Sequence, residues 1–192
     1  DIVETVLNEL PFYQFDRQAG QDRHRVIWIE TKGMIPMFED LAEKYGLPLV
    51  SGSGFDTIGS KRDFALSLAQ SGQHTELLHV GDADDSGQQI GVSLAADLHA
   101  FIAGLAGASN MTITRVAVLP KHIDEYNLAS EPREDTGSNH STDTPLLRWA
   151  QAEAFTKVDL VDLVEKAITN DMNLPRYRKV LREEAKAREL VR

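Results

Sequence analysis

Apolar residues fall along this chain in two alternating rhythms. Short, nearly unbroken apolar runs occur at Arg25-Val26-Ile27-Trp28-Ile29-Glu30, Leu47-Pro48-Leu49-Val50, Leu77-Leu78-His79-Val80 and from Thr112 to Leu119. Runs of this length predict strands buried on both faces. Between them apolar residues recur at three and four, as Met37, Phe38, Leu41, Ala42 and Tyr45, and again as Ile90, Leu94, Leu98, Phe101, Ile102 and Leu105. That spacing predicts helices, and a further helix is expected to run to about Ala69 with Asp56 or Thr57 as its cap. Pro36 suits a first helical turn and Gly46 a C-terminal cap. The order β-α-β-α-β-α-β predicts an α/β fold. Its four-stranded, mostly parallel sheet has right-handed crossovers and helices on both faces.

The remaining segments extend this core. Residues 1–14 predict a short helix ending near Pro11, and Leu128 to Asp143 reads as a long polar loop. Val158, Val161, Leu163, Val164 and Ile168 predict a helix from Lys157 to Asn170, and a basic helix follows Pro175. The expected organisation is a helical leader (1–21), a core (22–128), a loop-rich connection (129–156) and C-terminal helices (157–192). The chain begins at Asp1 without Met, so it is expected to be a piece of a longer protein.

Composition narrows the class. Hydrophobic content of 42% and charged content of 26% are those of a globular domain. No apolar run reaches membrane-spanning length and no signal-like start is present, so a cytoplasmic protein without a membrane partner is expected. The chain has no cysteine, which excludes disulfides and thiolate chemistry. The net charge of −10 argues against indiscriminate nucleic-acid binding. Residues 175–192 nevertheless hold seven Lys or Arg against three Glu, a balance of +4 that leaves −14 on the rest. Such a helix touches phosphates or, more commonly, docks on its own acidic body.

Chemistry concentrates at Val80-Gly81-Asp82-Ala83-Asp84-Asp85-Ser86-Gly87, between a predicted strand and a predicted helix. Ligands bind beyond the carboxyl ends of strands in open α/β sheets. Helix capping explains one or two of these aspartates, but not three, and their mutual repulsion is relieved by a cation. Magnesium is commonly held by one or two carboxylates plus phosphates, and Gly87 suits a tight turn into the helix. Glu30 ends the first strand; if that strand neighbours the third, a carboxylate faces the aspartates across a cleft. The Ser51–Thr57 stretch, with Lys61 and Arg62 behind it, reads equally as a phosphate-approaching loop or an ordinary turn. Lys32, Arg115 and Lys121 are further weak candidates for phosphate or DNA contact. The six histidines have no zinc-ligand spacing, and Tyr13, Tyr45, Tyr126 and Tyr177 read as packing or surface residues rather than nucleophiles.

Glu30 after an apolar strand, and Asp82-Ala83-Asp84-Asp85-Ser86-Gly87 as D-x-D-x-x-G after another, resemble the TOPRIM domain of topoisomerases, bacterial primases and several nucleases. The stretches 26–34, 51–56 and 79–87 are most similar to the topoisomerase VI A subunit and the related meiotic double-strand-break proteins. The stretch Pro120–Leu128 further resembles bacterial and phage TOPRIM proteins. The resemblance covers roughly residues 22–170 and implies a Rossmann-like TOPRIM fold with a C-terminal helical extension. It implies Asp82 and Asp84 as Mg2+ ligands with Mn2+ substituting, Glu30 as general acid/base or further ligand, and Asp85 in a less constant position. It also implies DNA as partner, a homodimer for cleavage, and a tyrosine nucleophile on an upstream winged-helix domain. The first expectation is therefore a magnesium-dependent module for DNA cleavage and rejoining, with topoisomerase (isomerase) chemistry. The alternatives are a water-using nuclease like the overcoming-lysogenisation-defect proteins, and a degenerate TOPRIM interaction or DNA-binding module. In the nuclease the loop acids Glu131, Glu134, Asp135 and Asp143 would help to hold a second metal.

Overall fold

The computed structural model describes residues 14–52, 57–71, 73–106, 110–132 and 148–191. Four parallel strands form one sheet: β1 (His24–Ile29), β2 (Leu49–Ser51), β3 (Thr75–Val80) and β4 (Met111–Ala117), in the order β2-β1-β3-β4. The crossovers are α1 (Ile35–Tyr45), preceded by a 3-10 turn at Lys32–Met34, then α2 (Ile58–Ser71) and α3 (Asp85–Ala106). The expected α/β architecture with an all-parallel sheet flanked by helices is therefore present. The expected leader helix lies outside the described residues.

Unbroken apolar strands arise because both sheet faces are covered. Side chains alternate across a strand, so Ile27, Ile29, Leu78 and Val80 join one core with Phe38, Leu41 and Tyr45 of α1. Val26, Trp28 and Leu77 join a second core with Leu94, Leu98 and Ile102 of α3. Ile90, assigned by spacing to the buried stripe of α3, is 40% exposed. Gly46 ends α1 in the left-handed region, φ 65°, and Thr57 caps α2 by accepting from Ser60 N–H (3.1 Å).

Beyond β4 come α4 (Pro120–Glu125), β5 (Glu131–Pro132), β6 (Arg148–Trp149) and a 3-10 turn at Ala152–Ala154. The chain then forms α5 (Lys157–Asn170) and α6 (Leu174–Val191). The polar stretch from Leu128 is thus not all loop, since β5 and β6 pair as an antiparallel ribbon. Helix α5 has the expected bounds and, apart from Val158, the expected apolar face, with Val161 and Leu163 packed against the first core. Leu160, Val164 and Ile168 enter the first core, while Val158 is 68% exposed. Thr156 caps α5, accepting from Asp159 N–H (3.1 Å). The basic helix α6 docks on the body: Tyr177 packs at 5.3 Å from Tyr45, and Glu184 is ion-paired with Arg17 at 2.9 Å. Arg178, Arg182 and Lys186 remain exposed. No described helix is long and apolar enough to cross a membrane.

Candidate metal centre at the carboxyl end of the sheet

Strands β1 and β3 are direct neighbours, with Ile29 opposite Val80. The residues that follow them, Glu30 and Gly81-Asp82, therefore leave the sheet side by side. Glu30 N–H donates to Val80 O (2.9 Å), and Asp82 N–H donates to Glu30 Oε2 (3.3 Å). Gly81 makes this approach feasible. A Cβ there would sit 2.1 Å from Glu30 Oε2 and 2.6 Å from His79 Nε2, and no side chain fits at those distances. Gly52 acts similarly, since a Cβ would sit 2.8 Å from Glu30 O. This glycine of the Ser51–Thr57 stretch thus serves the packing of β2 against Glu30, while residues 53–56 lie outside the described set.

Beneath the carboxylate lies His79, whose ring stacks on Trp28 at 4.2 Å and places Nε2 3.8 Å from Glu30 Oε2. Burial drives the imidazole below its ordinary range, and the Arg115 charge adds to this. At 3.8 Å the pair is an electrostatic contact rather than an aligned hydrogen bond. Glu30 is held below the usual carboxylate range by His79 first, against the cost of its own burial, with help from Asp82 N–H and Arg115. It is ionised at neutral pH. Asp82 moves the other way: burial raises it most, the carboxylates of Glu153, Glu30 and Asp84 raise it further, and the Ala152 N–H opposes them.

Arg115 of β4 brings a guanidinium to this strand end. A register shift at His79/Val80 displaces β4 there, a local irregularity that re-aims side chains. Arg115 donates to Val118 O (3.2 Å), Gly81 O (3.2 Å) and Asp82 O. Its guanidinium thus braces the turn that carries the aspartates, and burial lowers its own pKa.

A cavity of about 580 Å³ opens beside this turn, lined by Asp82, Asp84, Glu131, Glu153, Ser130 and Trp149 among others. Hydrogen bonds from Ala83 N–H to Ala150 O (2.9 Å) and from Ala152 N–H to Asp82 Oδ1 (2.8 Å) join the turn to the segment after β6. Glu131 is the one loop acid placed at the cavity; Glu134, Asp135 and Asp143 lie outside the described residues. Glu153 and Trp149 were not singled out by sequence reasoning. Neither belongs to a periodic pattern, and the stretch Trp149-Ala150-Gln151-Ala152-Glu153 offered only one aromatic and one acid as a signal.

Among the described residues no three His, Asp or Glu side chains converge into a closed ligand set. The oxygen-only donors Asp82 and Asp84 fit magnesium, which keeps several waters and takes one or two carboxylates plus phosphate oxygens. Repulsion already recorded in the Asp82 carboxyl is what a bound cation would relieve. The backbone of Asp85 opens α3, and its side chain lies outside the described residues. Gly87 falls within the first turn of α3 rather than ahead of it.

The basic candidates are dispersed. Lys61 is ion-paired with Asp97, Lys32, Arg62 and Lys121 are exposed, and Arg115 is engaged as above. Tyr45 donates to Glu165 (2.6 Å) and Tyr177 to Lys44 O (2.6 Å), both where α1 ends, away from the aspartates. Tyr126 packs against Phe155 at 4.9 Å. Tyr13 lies outside the described residues. None of the protein-family models and none of the curated proteins compared with this chain matches it.

Proposed function

We propose that this chain carries a divalent-metal site of TOPRIM type for DNA phosphodiester cleavage and rejoining, as part of a topoisomerase VI A-like protein. One observation carries the reading. The pairing of β1 with β3 sets Glu30 against the backbone N–H of Asp82, and Asp82 and Asp84 in turn line an acidic cavity. Asp82 and Asp84 would hold Mg2+, with Mn2+ substituting. Bound there, the ion supplies charge neutralisation on the scissile phosphate and its leaving oxygen.

The chain's own residues do the rest. Glu30, kept ionised, accepts a proton from the attacking hydroxyl or serves as a further ligand. Arg115 braces the Gly81-Asp82 turn so that the carboxylates keep their places. The attacking tyrosine belongs to an upstream winged-helix domain, and cleavage of both strands uses a homodimer in the cytoplasm. A second reading, a nuclease that uses water, is favoured by Glu131 and Glu153 at the same cavity, which would supply carboxylates for a second ion.

Calorimetric titration of Mn2+ and Mg2+ into the chain, beside Asp82→Asn and Glu30→Gln, tests the site. Binding to the parent chain that Asp82→Asn abolishes is expected. Absence of binding both alone and with a short DNA strand, or binding unchanged in Asp82→Asn, would overturn the proposal.

A further inference from the structure

One wall of the cavity has no part in metal binding. Trp149 lines it together with Asp82, Asp84 and Glu153, and three features hold that residue in place. In the β5–β6 ribbon it sits opposite Glu131. Its neighbour Arg148 bonds Asp124 Oδ1 (2.8 Å) and Ser130 Oγ (2.6 Å). The ring packs against the first core, with its indole nitrogen buried. The next residues are then bonded to the aspartate turn, through Ala150 O to Ala83 N–H (2.9 Å) and Ala152 N–H to Asp82 Oδ1 (2.8 Å). A half-buried aromatic is thus locked to the segment that carries the first aspartate.

This pairing of surfaces selects a kind of ligand. No Lys or Arg lines the cavity among the described residues, so a phosphate enters only with a cation between it and the carboxylates. A flat apolar surface beside that position suits a base. Nucleotides carry both parts within one unit, and the cavity volume lies in the roughly 300–1,000 Å³ range of ligand pockets. In an intact duplex each internal base is stacked on both faces by its neighbours and is not available to a tryptophan. An unpaired strand offers its bases to aromatic platforms.

We infer that Trp149 is the stacking platform for a base of an unpaired strand whose phosphodiester lies at Asp82 and Asp84. Single-stranded or locally opened DNA is then the substrate class. The inference rests on the metal-site reading above and, because its substrate is an unpaired strand, takes that site in its second form, a nuclease that uses water, rather than as duplex cleavage and rejoining.

Fluorescence anisotropy with a short labelled thymidine oligonucleotide and a blunt duplex, each in magnesium or in EDTA, tests it. The proteins compared are the parent chain, Asp82→Asn, Trp149→Phe and Trp149→Leu, the last keeping apolar packing without the ring. Trp28, buried in the other core, remains as an intrinsic reporter that the Trp149 variants are folded. Magnesium-dependent binding that favours the single strand is expected. Base stacking on an aromatic contributes about 5- to 150-fold in affinity, so Trp149→Leu is expected to lose that much for the strand and nothing for the duplex. Trp149→Phe stays within about threefold, because it keeps a stacking face.

Strand binding unchanged in Trp149→Leu, or lost equally for strand and duplex, would overturn the inference and leave the metal site standing. Thymidine monophosphate bound as tightly as the oligonucleotide would also overturn it, by making the ligand a free nucleotide. Binding that is absent, or indifferent to both EDTA and Asp82→Asn, would remove the metal reading itself and the inference with it.

Discussion

The two ends of the sheet treat buried charge in opposite ways. At the amino end, Glu184 of α6 is 3% exposed and receives Arg17 at 2.9 Å, Phe15 N–H at 3.1 Å and Arg188 at 2.8 Å. Burial pushes its carboxyl up, but these donors bring it below the ordinary range. Nearby, Glu76 lies 3.3 Å from Arg25 and accepts from Thr114 Oγ1 (2.8 Å). At the carboxyl end, Asp82 is raised first by burial and then by three carboxylates, against one hydrogen bond from a backbone amide. Arg115, the cation at hand, points its guanidinium at carbonyl oxygens. The difference separates two uses of acid. Charges that hold helices together are offset by close ion pairs within the chain, whereas Asp82 at the strand end stays raised by burial and by neighbouring carboxylates.

Removing an arginine at the amino end should do the most damage. Arg17→Met removes the ion pair on Glu184 and also two hydrogen bonds that Arg17 donates to the carbonyls of Glu43 and Lys44. Leaving a buried charge uncompensated costs about 3–5 kcal/mol, and the lower figure is expected because Arg188 remains. Urea unfolding of the variant reads this directly, and an unchanged midpoint would erase the contrast between the two ends.

Acid should weaken the fold next. His24, His79 and His122 are all held below their ordinary 6.5, chiefly by burial. His122 Nδ1 accepts Leu119 N–H (3.2 Å), which requires the neutral ring. The unfolded chain takes up protons below about pH 6.5 while the folded chain does not, so stability falls as pH drops through that value. Glu30, Glu165 and Glu184, held low, add a further loss below their ordinary 4.5, while Asp82, held high, opposes it. Denaturant midpoints measured from neutral pH downward should decline in that order. A flat profile between neutrality and about pH 5 would show the histidines to be accessible in the folded chain.

The smallest effect sharpens the comparison most, because its sign reverses. Asp82→Asn keeps an acceptor for Ala152 N–H and removes a carboxylate that its surroundings repel. In metal-free buffer the variant should melt slightly higher, by about 0.5 kcal/mol, the scale of ordinary surface changes. Adding magnesium should stabilise only the parent chain. A loss of stability in metal-free buffer would place Asp82 among the structural acids.

Much of this architecture was legible along the chain. Four apolar runs became four strands, and Lys157 to Asn170 became α5 with those bounds. The acids of Glu30 and Asp82-Ala83-Asp84 came to adjoining strand ends, since consecutive crossovers in a parallel sheet leave few places for them. Less of the site's surroundings was legible. The segment from Glu131 to Glu153 has no periodicity, so the pairing of β5 with β6 and the arrival of Trp149 and Glu153 at the cavity could not be read. His79 looked like one residue of an apolar run, yet it alternates onto the Trp28 face and still reaches Glu30 across Gly81.

The sequence by itself therefore determined what repeats locally: strand and helix, the caps at Gly46 and at Asp56 or Thr57, and acids at the ends of the first and third strands. Those features follow from side-chain alternation and backbone preference within a few residues. Tertiary structure alone decided that β1 lies beside β3, that Arg115 faces carbonyls, and that Trp149 stands by the aspartates. These contacts join residues 33 to 70 positions apart. They depend on which buried surfaces and hydrogen-bonding groups can be satisfied together, and no stretch of the chain records that on its own.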